Sequence, residues 1–507
     1  MQRIVSVKRL NFGLEAKLNQ FMNYFISLLL FFSPFNAATL TRADIVRANL
    51  GTVSLSPDLQ SKEDELSAVR RLDREGRSAD GKLPQLTSDE HLRRGSIYLA
   101  NRAFAEAREH FQALIERYPA DRNVPAALLG LGRSYFQMRG YEESVPYFER
   151  LVQDYSQTKE GRDGLYSLAS AFMRLGRASE AAERYREYTE RYPAGEKIDF
   201  AYLNLIDSLR DAGRPLEAIQ WIARTREKFA GTYIATNALF ARLRLDIAGG
   251  DWQHAIQTAD ELRSATYSKK VMTTPDEVAY LKAYSLERAG RKEEAINAYM
   301  IIPDRADSYY GWLATTKLLS IVDVSRRAAV NARMDRVNAQ INASAALYPA
   351  PYRETILREA NRRKIDPRLV LAIMQKESGF RPRVKSGAAA RGLLQLTIDT
   401  ATKYAAHVGL NNLQDDDLYR PETSILLGSE YIAELARMFP NLPEAVVASY
   451  NGGEDNVARW ITRAKQRDAG VFTAEVGFDE TKAYVYKVMA GYRAYKQLYT
   501  ADLQPRR

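Results

Sequence analysis

The sequence has 507 residues and no cysteine, which excludes disulfides, a thiolate nucleophile and Cys-ligated zinc. Histidine is scarce. His91, His110, His254 and His407 are scattered and form no HExxH pair, so no metal site and no other cofactor is expected. No dense basic run with interleaved aromatics is present, the pattern on which single-stranded bases stack. Nucleic acid is therefore not an expected partner, although the formal net charge is +10. A long apolar run is also missing. The one candidate, from Phe21 to Phe35, is shorter than the roughly 18–20 residues a bilayer-spanning helix needs.

What is present is the composition of a globular chain, 46% hydrophobic and 27% charged, in a length that exceeds a single compact core. A basic surface suits acidic partners such as an anionic lipid or a cell-wall polymer. Arg3, Lys8, Arg9 and Lys17 precede the short apolar stretch, Pro34 interrupts it, and Ala37 and Ala38 follow. This order predicts a signal peptide over 1–39, with an uncleaved membrane-associated segment as the alternative. Residues 40–88 read as a polar leader of weak helices.

A repeat follows. The segments FAEAREHF, YEESVPYF, ASEAAERY, PLEAIQWI, WQHAIQTA and KEEAINAY align on Ala107, Ser144, Ala181, Ala218, Ala255 and Ala295. Subtracting these numbers gives spacings of 37, 37, 37, 37 and 40. Gly176, Gly213, Gly250 and Gly290 each stand five residues before their small residue. Such a period marks a helical solenoid. The glycine makes the turn between paired helices, the small residue lets the second helix approach the first, and neighbouring pairs stack to bury their apolar faces. The pattern resembles tetratricopeptide repeats over 89–304. That resemblance implies a binding or scaffolding surface with possible protein partners. A helical linker over 305–347 leads to Tyr348-Pro349-Ala350-Pro351-Tyr352, whose prolines block helix continuation and mark a domain boundary.

Beyond it, Asp366 is placed to cap a helix, Pro367 suits its first position, and Gly379 suits its left-handed exit. Leu369, Val370, Ile373 and Met374 form an apolar stripe, and Glu377 continues it. A carboxyl at the end of a buried stripe loses hydration, which raises its pKa and suits it to donate a proton near neutral pH. Taken alone, the helix favours Glu377 turning to solvent at a fraying end over acting as an acid catalyst.

Four ordered segments surround this residue: Glu377-Ser378-Gly379; Ser386 with Gly392-Leu393-Leu394-Gln395; Ala448-Ser449-Tyr450-Asn451-Gly452-Gly453; and Glu480-Thr481-Lys482-Ala483-Tyr484-Val485. Together they resemble the soluble lytic transglycosylases of glycoside hydrolase family 23. The resemblance implies a mainly α chain, with a tetratricopeptide-like solenoid followed by a lysozyme-like catalytic domain over 348–500. It implies peptidoglycan glycan strands as substrate, and the signal expected over 1–39 implies export to the periplasm.

In that family's scheme Glu377 is the catalytic acid. It protonates the oxygen between N-acetylmuramic acid and N-acetylglucosamine, the acetamido oxygen assists C1, and the C6 hydroxyl then closes a 1,6-anhydro end. This departs from the usual pair of carboxylates. Ser386, Gln395, Tyr450, Asn451 and Glu480 match substrate-binding positions, and the Tyr484-Val485 pair is assigned to packing. Leu394 stands where the family has Met, and Ser449 and Gly452 replace alanines. The alternatives are a muramidase, in which water replaces the C6 hydroxyl, and a non-enzymatic glycan-binding scaffold. The size of the solenoid predicts that it shapes substrate access, and that removing residues up to about 340 spares the chemistry.

Overall fold

The computed structural model describes residues 57–506, so the signal peptide expected over 1–39 lies outside the described residues. Among those described, every regular element is a helix; pairing between extended segments is limited to the isolated bridges Lys385–Arg391, Arg391–Leu396 and Tyr499–Pro505. No described helix is long and apolar enough to cross a membrane. The chain is mainly α, as its periodicities predict.

The residues fall into two compact units that divide between Ala113 and Leu114. The first holds α1 (Pro57–Gly76), α2 (Ser88–Ala100) and most of α3 (Phe104–Arg117). The polar leader thus contains a 20-residue helix. It is anchored by buried Asp73, whose carboxylate accepts from the Tyr98 hydroxyl at 2.5 Å and lies 3.0 Å from His110 Nε2.

The second unit opens with five helix pairs: α4 (Val124–Gln137) and α5 (Tyr141–Asp154); α6 (Lys159–Arg174) and α7 (Ala178–Arg191); α8 (Ile198–Asp211) and α9 (Pro215–Lys228); α10 (Tyr233–Gly249) and α11 (Trp252–Arg263); α12 (Pro275–Arg288) and α13 (Lys292–Ile301). Consecutive helices pack on one another. Ala107, Ser144, Ala181, Ala218, Ala255 and Ala295 are each 0% exposed, because each sits where two helices meet. The turn five residues earlier is left-handed every time. Glycine takes it at 176, 213, 250 and 290, and Arg102 (φ 60°), between α2 and α3, and Arg139 (φ 65°), between α4 and α5, take it in the earlier turns. A side chain in this region costs roughly 1–2 kcal/mol. At Arg139 the same turn aims the guanidinium at Glu454 (3.0 Å) and Asp455 (3.4 Å).

After α14 (Tyr309–Ile321) and α15 (Val324–Ala343) come α16 (Arg353–Arg363), α17 (Pro367–Ser378), α18 (Ile398–Ala405), α19 (Pro421–Met438), α20 (Pro443–Gly452), α21 (Glu454–Ala464), α22 (Ala469–Glu475) and α23 (Asp479–Leu498). Helix α17 is central. Leu371 and Ala372 are buried as well as the expected stripe, so the stretch from Leu369 to Met374 is enclosed on more than one face, while Lys376 is exposed. The Asp366 carboxylate accepts from the Arg368 N–H at 2.9 Å and from the Tyr492 hydroxyl at 2.8 Å, and Gly379 closes the other end at φ 55°. Helix α23 packs along α17.

One hydrophobic core runs from Leu239 on α10 to Leu503, so the last repeats and the C-terminal helices share it. Helix α21 lies against α8 and α10, and α22 against α10, α12 and α14. A seam of enclosed charge joins them. Arg210 and Arg244 grip Glu475 (3.1 and 3.0 Å), Arg463 reaches Asp207 (3.0 Å), Lys482 reaches Glu277 (3.0 Å) and Arg493 reaches Asp304 (2.7 Å).

Candidate active site

Helix α17 carries Glu377 in its last turn, where the carboxyl is half-buried. Tyr484, from the second turn of α23, is 4% exposed and donates its hydroxyl to Glu377 Oε1 at 2.6 Å. Burial pushes the Glu377 carboxyl up to about 7; the Tyr484 hydrogen bond and the Lys376 charge oppose the rise, and Glu480 adds to it. Loss of water outweighs one hydroxyl donor, so a substantial fraction of the carboxyl is neutral at pH 7.

Tyr450, on α20, belongs to the same cluster. Its hydroxyl donates to the Leu394 carbonyl at 2.6 Å, and its ring lies 5.1 Å from that of Tyr431. Burial, followed by the nearby Glu377 charge, holds its phenol well above the ordinary value. The tyrosine stays a neutral donor throughout the physiological range.

Ser386 and Gln395 frame the adjoining loop. Ser386 Oγ accepts from the Ala390 N–H at 3.1 Å. Gln395 donates from Nε2 to the carbonyls of Val384 and Gly392, both at 2.9 Å, and adopts φ 46°. Gly392 is obligatory here: at φ 80° an added Cβ would stand 1.9 Å from the Leu418 carbonyl oxygen. Asn451 is exposed; its Oδ1 accepts from Thr481 Oγ1 at 2.6 Å, tying the end of α20 to the first turn of α23. Glu480 is exposed in that same turn.

The structure therefore gathers Glu377, Tyr450 and Tyr484 around one carboxyl, with Glu480 within electrostatic reach. Ser386, Gln395 and Asn451 fasten the surrounding backbone, and none of these three hydrogen-bonds to Glu377 among the described residues. Tyr484 is the partner that sequence reasoning assigned to packing alone. Its signal was its spacing. It stands four residues after Glu480, on the same face of α23, and a buried phenol needs a hydrogen-bond partner. No group of three or more His, Asp or Glu among the described residues forms a metal ligand set.

Residues 354–472 match the Transglycosylase SLT domain. Tetratricopeptide repeat models match 91–121 and 129–196, so the repeats precede the SLT domain. The SLT match includes Glu377, Ser386, Gln395, Tyr450 and Asn451 and ends before α23, which carries Glu480 and Tyr484. The soluble lytic murein transglycosylase of Escherichia coli K12 is 31% identical over 157 residues, 31% of this chain and 24% of its own length. That of Salmonella typhimurium is 32% identical over 150 residues, 29% of this chain and 23% of its own length. The chain thus spans about a quarter of the length of the curated relatives it matches. The 70 kDa soluble lytic transglycosylase of E. coli, a solved structure, aligns with a TM-score of 0.46 at 18% identity, covering 87% of this chain and 79% of that one.

Proposed function

We propose that this protein is a peptidoglycan lytic transglycosylase. It cleaves the β-1,4 bond between N-acetylmuramic acid and N-acetylglucosamine and leaves 1,6-anhydromuramoyl ends. The observation that carries this reading is the Glu377 carboxyl: half-buried, held by one phenol, and pushed up to about 7 within the SLT domain. Neutral Glu377 gives its proton to the glycosidic oxygen as the C1–O bond breaks. The bonding electrons leave with the protonated N-acetylglucosamine oxygen, and the muramoyl acetamido oxygen bonds to C1, so the ring that forms carries the positive charge left there. The Glu377 carboxylate then takes the proton of the C6 hydroxyl, whose oxygen bonds to C1 and releases the acetamido oxygen. The carboxyl ends neutral, ready for the next cycle.

The other matched residues fit substrate contact. Gln395 commits its amide N–H groups to backbone, which leaves its Oε1 as an acceptor for a sugar acetamido N–H. Exposed Glu480 and Asn451 lie at the start of α23 and the end of α20, where a glycan strand would pass. Catalytic work belongs to about 348–500. Export through 1–39 would deliver the enzyme to the periplasm, and N-terminal sequencing of a periplasmic fraction tests that step.

Chromatography and mass spectrometry of digested sacculi test the reaction. Anhydro-ended muropeptides are expected from the wild type, and Glu377→Gln is expected to lower their release at least about a thousandfold while the protein stays folded. Reducing ends in their place would make the enzyme a muramidase. Undiminished digestion by the variant would remove Glu377 from the chemistry.

A further inference from the structure

Lys482 carries a buried charge that the proposed chemistry does not use. It is 4% exposed, and its Nζ donates to Glu277 Oε1 (3.0 Å) and to the carbonyls of Met272 (2.9 Å) and Ala474 (3.3 Å). It also sits 4.7 Å from the centre of the Phe240 ring. Glu277, on α12 of the repeat array, is 0% exposed and accepts a second bond from the Tyr310 hydroxyl at 2.8 Å. The charged groups around the pair are Arg244 and Asp479.

Lys482 stands two residues before Tyr484 on α23. Two helical residues turn by about 200°, so the two side chains leave the helix in nearly opposite directions. One reaches into the repeats, and the other reaches Glu377. The first turns of α23 are thus gripped from both sides. An ammonium enclosed without its carboxylate is unfavourable, so α23 keeps the pair or moves. The other enclosed pair on this helix, Arg493 with Asp304, lies nine residues beyond Tyr484, about 13 Å along the axis.

We propose that Glu277 and Lys482 are a positioning pair, through which the repeat array sets the place of α23 and so the contact of the Tyr484 hydroxyl with Glu377. This rests on the reaction proposed above. The repeats are then part of the active-site scaffold as well as a possible surface for partners.

The test is the pH dependence of anhydromuropeptide release by the full chain, for wild type, Glu277→Gln, Glu277→Asp and Asp304→Asn. The Tyr484 bond lowers the Glu377 pKa. Its loss should move the alkaline limb of the profile upward, because the acid form survives to higher pH. Glu277→Gln is expected to lower kcat about tenfold, with KM within about threefold, and to raise the limb. Glu277→Asp, which keeps the charge, should recover part of kcat, and Asp304→Asn should keep the wild-type limb. A wild-type limb in Glu277→Gln overturns the proposal, and so does an equal shift in Asp304→Asn, which would mean general loosening of the seam. Should Glu277→Gln not fold, Lys482→Met reads the same limb with the same two outcomes. A wild type that makes no anhydro ends overturns the reaction itself and the positioning role with it.

Discussion

Two glutamates in the C-terminal helices have carboxyls pushed up to about 7, and only one of them has a place in the chemistry. At Glu377 the Tyr484 phenol restrains a rise that burial would otherwise carry further. Tyr484→Phe removes that restraint. The alkaline limb of the pH–rate profile should move up, and kcat should fall about tenfold as the carboxyl loses its fixed orientation. A profile superimposable on wild type would show that the phenol serves packing alone. Glu444, 4% exposed on the first turn of α20, is raised chiefly by burial. Its folded form holds a proton that the unfolded chain releases at its ordinary pKa of 4.5. The stability this confers is complete below 4.5 and declines until about 7. Glu444→Gln should flatten that decline and stabilise the protein at pH 8 by about 1–3 kcal/mol, read from denaturant unfolding at both pH extremes.

At the scale of elements, the loop from Val384 to Leu396 is the most constrained segment beside the site. Gly392→Ala would force a methyl against the Leu418 carbonyl in a backbone region that disfavours it. The expected cost is about 3 kcal/mol or more, with loss of activity, because Tyr450 is tied to the Leu394 carbonyl two residues on. Circular dichroism melting beside an activity assay reads both. Local chemistry made α17 legible in the sequence: Asp366, Pro367 and Gly379 mark its ends by capping rules that need only neighbouring residues. The repeat turns at four glycines were legible for the same reason. Those at Arg102 and Arg139 were not, since an arginine carries no turn signal, and at Arg139 its partners stand more than 300 residues away. Helix α1 falls within the leader of weak helices read over 40–88, but its anchor was not legible, since Asp73 pairs with residues on later helices. The Tyr484 contact with Glu377 spans 107 residues, and the pairing of Lys482 with Glu277 spans 205. Periodicity and spacing carry no record of such distant partners.

At the scale of the molecule, the shared core changes what truncation should do. The size of the solenoid suggested that removing residues up to about 340 would alter access and spare the chemistry. The structure points the other way. Removal would expose core residues that pack on α10–α14 and leave Glu475, Arg463, Lys482 and Arg493 without their partners. A fragment of 345–507 is expected to be poorly soluble or to melt well below the full chain, and differential scanning calorimetry of the two tests this. Because the seam is enclosed, the full chain's unfolding midpoint should change little between low salt and about 0.5 M, where exposed pairs are screened.

The clasp of Arg210 and Arg244 on Glu475 has a further consequence for exchange between relatives. A catalytic half grafted from a protein with an uncharged residue at that place would leave Asp207, which Arg463 also engages, as the anion that Arg210 and Arg244 share. Functional chimeras would have to transplant Arg210, Arg244 and Glu475 as a set.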